Sequence, residues 1–129
     1  MGDIMNYMHK DLAAGKWYKM DLCEQLPNIG SEISRANRAL KLNKEENKVN
    51  AVYRALELID LTIDDITSNI DKYKNRRKST LKEITRLREC VCDFYLGDNI
   101  YDSSAISFID YFDHFAIENI ITKNKMMIK

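Results

Sequence analysis

From Leu26 onwards, apolar side chains recur at Leu26, Ile29, Ile33, Ala36 and Leu40, the alternating spacing of three and four that lines one face of an α-helix. One step back runs a polar stripe, Gln25, Asn28, Glu32 and Arg35, and one step forward a small one, Gly30, Ser34 and Asn37. A helix with an apolar seam, a hydrogen-bonding flank and a small flank has neighbours on more than one side, so this one is expected at the centre of a helical bundle. It starts near Trp17 and has to pass Pro27. Proline removes a backbone bond and crowds the preceding turn, at about 3 kcal/mol in a helix interior. A kink or break is therefore expected just before Pro27, with Trp17, Met20 and Cys23 packing ahead of it. Gly30 and Ser34 would let another backbone approach closely.

The second helix, Glu45 to Ile66, carries the most regular seam, Val49, Val52, Leu56, Ile59, Ile63 and Ile66, with Ala55 beside it. Leu58 and Leu61 fall off that stripe and call for a second buried face or a dimer contact. A basic connection follows, Lys72, Lys74, Arg76, Arg77 and Lys78, after the acidic end of the second helix. Thr80 and Glu83 have capping-box spacing, which starts a third helix there and ends it at Leu96 with Gly97 beyond. Its seam is Ile84, Leu87, Val91 and Phe94, widened by Leu81 and Tyr95 and flanked by Arg86, Arg88, Glu89 and Asp93. Ser103 or Ser104 caps a fourth helix that turns Ala105, Ile109, Phe112, Ala116 and Ile120 inwards. Residues 1–15, with Met5, Met8 and Leu12 at helical spacing, form a short arm, and residues 122–129 a loose basic tail.

Composition agrees with this. The 129 residues are 45% apolar and 31% charged, and four glycines with one proline leave few turns for an all-β fold. Length and pattern predict one all-α domain over residues 1–129, an antiparallel up-and-down four-helix bundle. Several apolar side chains off the core seams suggest a homodimer. The formal net charge is zero, so the molecule as a whole advertises no polyanionic partner. Three cysteines, Cys23, Cys90 and Cys92, have no framework spacing and read as reduced thiols of a cytoplasmic protein. The apolar stretch from Ala105 to Ile121 is interrupted by Asp110, Asp113 and Glu118, which excludes a membrane span.

Catalytic parts are missing. Neither His9 nor His114 follows a glutamate by three residues, as a carboxylate-bridged metal site in a bundle requires, and no two glycines sit close enough for a phosphate loop. No metal and no cofactor is expected. The best polar constellation joins Asn28, Glu32 and Arg35 of the first helix to Arg86, Glu89 and Asp93 of the third, with Glu32–Arg86 or Arg35–Asp93 as ion pairs that set helix register. The basic segment Lys72, Lys74, Arg76, Arg77 and Lys78 is the candidate for a nucleic-acid backbone, with only Tyr73 as a stacking partner.

The run W-Y-K-M, E-Q-L-x-N-I-G-S-E and R-A between Trp17 and Ala36, with R-L-R-E-C-V-C-D-F-Y-L-G-D-N from Arg86 to Asn99, resembles a group of short prokaryotic proteins without an assigned activity. At the level of fold alone it is similar to HEPN domains and to the bundles encoded in 23S rRNA intervening sequences. The first likeness implies a ribonuclease or an inactive toxin–antitoxin component, the second a basic surface for nucleic acid. HEPN ribonucleases place an arginine before a histidine with four to six residues between them, but Ser107, Phe108 and Ile109 stand in the corresponding places before His114. The reading is therefore a non-catalytic binding or assembly module whose partner is a protein or itself, with RNA or DNA next. The rival is a HEPN-type nuclease using a set drawn from Glu32, Arg35, Arg86 and Asp93.

Overall fold

The structure, a computed structural model, describes residues 9, 10 and 12–128, with side chains as far as Ile117. Among the described residues it is all-helical. A π-helical turn, Leu12–Lys16, and a 3-10 turn, Trp17–Lys19, lead into α1 (Leu22–Lys41), α2 (Glu45–Ser68), the single turn α3 (Ile70–Tyr73), α4 (Arg77–Leu96) and α5 (Ala105–Ile128). Helix α1 packs against α2 on one side and α5 on the other, and α2 also carries α4. The expected central helix is thus central, and its small flank is why. A Cβ added at Gly30 would stand 2.7 Å from Cβ of Phe112, so α5 lies as close to α1 as a glycine allows.

The break in the first helix falls earlier than Pro27. Met20 and Asp21 are extended, Asp21 holds the N-cap position, and Pro27 lies inside a continuous α1. The carbonyl of Cys23 is the one that loses its amide to Pro27. Breaking the chain at Met20 instead lets the preceding residues turn back along α2. There they cover its second face, so Leu58 and Leu61 are buried within the one chain and supply no dimer contact. Trp17 is fully buried, its indole N–H donating to Thr62 Oγ1 at 3.0 Å, and the Tyr18 hydroxyl donates to Asp64 at 2.7 Å.

The core joins Leu26, Ile29 and Ile33 of α1 to Val52, Ile59 and Ile66 of α2, Ile84 and Val91 of α4, and Phe108 and Phe112 of α5. On α5 the inward register is that of Phe108 and Phe112, and Ile109 is 40% exposed. The two phenylalanines fill the space opposite Gly30 and the α4 aromatics; Ile120 lies outside the described side chains. Helix α5 runs to Ile128, so the backbone expected as a loose tail is helical. The expected arm falls mostly on residues 1–8, outside the described residues.

Two turns are set by local chemistry. Helix α1 ends in a Schellman arrangement: Asn43 is left-handed (φ 56), Lys44 N–H donates to the Ala39 carbonyl and Asn43 N–H to that of Leu40. Helix α5 begins with a reciprocal cap between Ser104 and Ser107, each side chain accepting the other's backbone N–H. No such box forms at Thr80. Helix α4 starts one turn earlier, at Arg77, and Glu83 accepts instead from the Tyr111 hydroxyl at 2.9 Å.

Candidate functional site

Two of the five cations of the basic segment, Lys72 and Arg77, are spent on the fold. Asp65, fully buried near the end of α2, accepts from Gln25 Nε2 at 3.0 Å, Lys72 Nζ at 2.6 Å, the Tyr73 hydroxyl at 2.9 Å and the side-chain amide of Asn69. A buried carboxylate needs this many donors to offset its lost hydration. Lys72 also donates to the carbonyls of Met20 and Tyr18, which pins the extended break before α1 to the end of α2. Arg77 reaches the carbonyls of Ile66 and Thr67 at the C-terminus of α2, where a cation is favourable to the helix dipole. Lys74, Arg76 and Lys78 remain exposed. Burial, then the hydrogen bond to Asp65, raises the Tyr73 phenol well above its ordinary range, so it stays a donor.

The proposed polar constellation separates into two clusters. Glu32, only 6% exposed, accepts from Arg35 Nη1 at 2.7 Å and from Arg54 Nε of α2 at 2.9 Å. His9 approaches the same carboxylate at 3.9 Å while bonding Glu57 at 2.9 Å. Asn28 faces solvent and donates to the Glu24 carbonyl. On the other side of the molecule, Arg86 lies over the Tyr101 ring at 4.4 Å, Glu89 accepts from the Tyr101 hydroxyl at 3.4 Å, and Asp93 accepts the backbone N–H groups of Ile100 and Tyr101. Among the described residues no hydrogen bond or ion pair joins the two halves. Gly30 and Ser34 of the small flank meet α5, Asn37 accepts from the Tyr95 hydroxyl of α4, and the polar flank meets α2, so α4 contacts α1 away from Glu32. The set Glu32, Arg35, Arg86 and Asp93 therefore does not form one catalytic centre.

Helices α4 and α5 meet through side chains, with Phe94 and Tyr95 against Phe108 at 5.5 and 5.7 Å between ring centroids. Beside these rings a cleft of about 260 Å³ opens, walled by Leu87, Cys90, Phe108 and Tyr111, with Glu83 and Arg86 at its polar edge. Burial, followed by the nearby Glu83 carboxylate, raises the Tyr111 phenol and keeps it protonated. Around the loop and along α5 stand exposed apolar side chains: Leu96, Ile100 (81% exposed), Tyr101, Ile106 (70%) and Ile117. Among the described residues there is no group of three or more His, Cys, Asp or Glu side chains able to hold a metal ion, and no helix long and apolar enough to cross a membrane.

No family model matches the chain, and neither a curated protein nor a solved structure matches it, so its function is argued from these side chains. Sequence reasoning missed Asp65, which looked like one more acid in an acidic helix end. Its signal was its register: Leu58, Thr62 and Asp65 share the second face of α2, and Lys72 and Tyr73 follow seven and eight residues later.

Proposed function

We propose that this protein is a non-catalytic assembly module, an up-and-down four-helix bundle of the cytoplasm that pairs through its α4–α5 face with a second copy of itself. The observation that carries this is the apolar cleft between α4 and α5, walled by Leu87, Cys90, Phe108 and Tyr111, together with exposed Ile100, Tyr101 and Ile106 in the connection after α4 and the first turn of α5; Leu42, Tyr53 and Ile70 are exposed elsewhere. Charge selects the occupant. Lys82, Arg86, Glu89 and Asp93 share one face of α4, basic at the first two positions and acidic at the last two, while neighbouring Glu83 is taken up by the Tyr111 hydroxyl. Two such helices laid antiparallel about a two-fold axis bring Lys82 opposite Asp93 and Arg86 opposite Glu89, which makes the surface self-complementary. A net charge of zero adds no repulsion between copies. Three free thiols and no disulfide suit a reducing compartment.

Light scattering on the eluting protein tests the reading. A dimer is expected, weakened by Ile106→Asp and by Arg86→Glu and restored when Arg86→Glu is combined with Glu89→Arg. A monomer at all accessible concentrations would overturn it, as would a dimer indifferent to all three changes. Nucleic acid is the second reading, favoured by the exposure of Lys74, Arg76 and Lys78. It would take precedence if RNA shifted the protein in a salt-sensitive way that vanished when those three were changed to Ala.

A further inference from the structure

A second concave surface lies at the turn between α1 and α2. Its volume is about 320 Å³, and Arg35, Arg38, Lys44, Arg54, Asn47 and Leu42 line it. Four cations converge there, and among the described residues Glu32 is the acid bonded to any of them, so their local sum is about +3. The two acids of the first turn of α2, Glu45 and Glu46, are not in the wall, and Glu45 is taken up by Lys48 at 3.0 Å.

The geometry points to a binding site for a diphosphate group, free or carried on a nucleotide. Glu32 fixes two guanidiniums by single bonds, through Arg35 Nη1 and Arg54 Nε, and neither bond uses the whole fork. A guanidinium held this way presents its remaining N–H groups in a set direction, the arrangement that recognises phosphate oxygens in pairs. Arg38 and Lys44 make no side-chain hydrogen bond or ion pair among the described residues, so their charge is available to a ligand. Lys44 is placed by the Schellman turn, through its own N–H to Ala39. The volume is at the low end for small-molecule sites and accommodates a diphosphate. No aromatic side chain lines the wall, so there is no platform on which a base could stack, and recognition falls on the phosphates.

Isothermal titration of the full chain with pyrophosphate at low salt tests this, with ADP and sulfate as parallel arms. One saturable site is expected for pyrophosphate. Equal affinity for ADP would identify a tolerated nucleotide carrier, weaker ADP binding the free diphosphate, and sulfate should bind far more weakly than either. Arg38→Ala is expected to lower the affinity about tenfold, the loss of one charge-assisted contact, and Arg38→Ala with Lys44→Ala to lower it further. Both side chains are exposed and unbonded, so the variants should melt as the parent does. The triple change of Lys74, Arg76 and Lys78 to Ala should leave binding unchanged. The proposal is overturned if no saturable heat appears, or if the Arg38 and Lys44 variants bind as well as the parent. It is also overturned if the triple variant loses affinity to the same degree, or if sulfate binds as tightly as pyrophosphate, since either would mean non-specific charge. Single-stranded RNA displacing pyrophosphate at far lower concentration would assign the pocket to a nucleic-acid backbone instead.

Discussion

Two regions of this chain are rich in cations, and the fold anchors them to acids of different burial. Between Lys72 and Lys78 the sequence has its densest basic run, yet Lys72 closes on buried Asp65 and Arg77 caps the end of α2. At the α1–α2 turn the cations are scattered over Arg35, Arg38, Lys44 and Arg54, and four of them converge around one cavity with Glu32 as their anchor. Charge density along a chain thus does not say which of its cations stay free: Lys74, Arg76 and Lys78 do in the first region, Arg38 and Lys44 in the second. What matters is whether a buried acid lies within reach. Asp65 is fully buried and draws in whatever donors the next two turns offer, whereas Glu32 sits at the edge of the helix pair and holds guanidiniums whose far ends stay in water.

The largest expected effect lies at the first region. Asp65→Ala strands Lys72 and three further donors, and chemical denaturation should show a loss of about 3–5 kcal/mol, the usual cost of breaking a buried pair from one side. A loss below about 1 kcal/mol, the range of an exposed pair, would erase the distinction between the regions. Tyr73→Phe removes one hydrogen bond to the same carboxylate and should cost about 1.5–3 kcal/mol.

The same tyrosine gives the contrast a pH dependence. The folded phenol is raised above the ordinary tyrosine value of 10.0, so the folded state keeps a proton that the unfolded chain releases as pH climbs. Its contribution is therefore fully present below about pH 10 and is lost above it. Tyr95 and Tyr111, both raised chiefly by burial, act in the same direction. Melts followed by circular dichroism should fall steeply at alkaline pH, with phenolate absorbance of these residues appearing only on unfolding. Phenolate in the intact fold at the ordinary tyrosine range would contradict the buried hub.

At the second region the effects on stability are smaller. Glu32→Ala should cost about 1–2 kcal/mol, because Arg35 is 62% exposed and Arg54 33% exposed, and both can turn to solvent. Smallest of all, Arg76→Ala and Lys78→Ala should each stay within about 0.5 kcal/mol of the parent, since neither side chain is used by the fold. A larger loss in either would show that the basic run is structural throughout.

The helices were legible because their seams are periodic: Leu26, Ile29 and Ile33, then Val52, Ile59 and Ile66, then Ile84, Leu87 and Val91, all stand in the core. Element ends were less so. Pro27 looked like a breaker, but the chain breaks at Met20, where Lys72 and Asp65 wait from fifty residues away in sequence, more or less. Thr80 and Glu83 had the spacing of a cap, and Glu83 was instead claimed by Tyr111. The cleft between α4 and α5 and the pocket at the α1–α2 turn each combine residues from separate elements, and neither has a local pattern to announce it.

The sequence by itself determined that the chain is helical, where the apolar seams run and that α1 has a small flank for a close neighbour, because hydrophobic period and residue size act within a few turns. Only the tertiary structure decided which polar residues meet. Glu32 could have paired with any cation on a facing helix, and it was the close approach of α5 to Gly30 that gave its flank to α2 and to Arg54. Hydrogen bonds and ion pairs act over a few ångströms, so their partners are chosen by how whole helices pack and not by their positions along the chain.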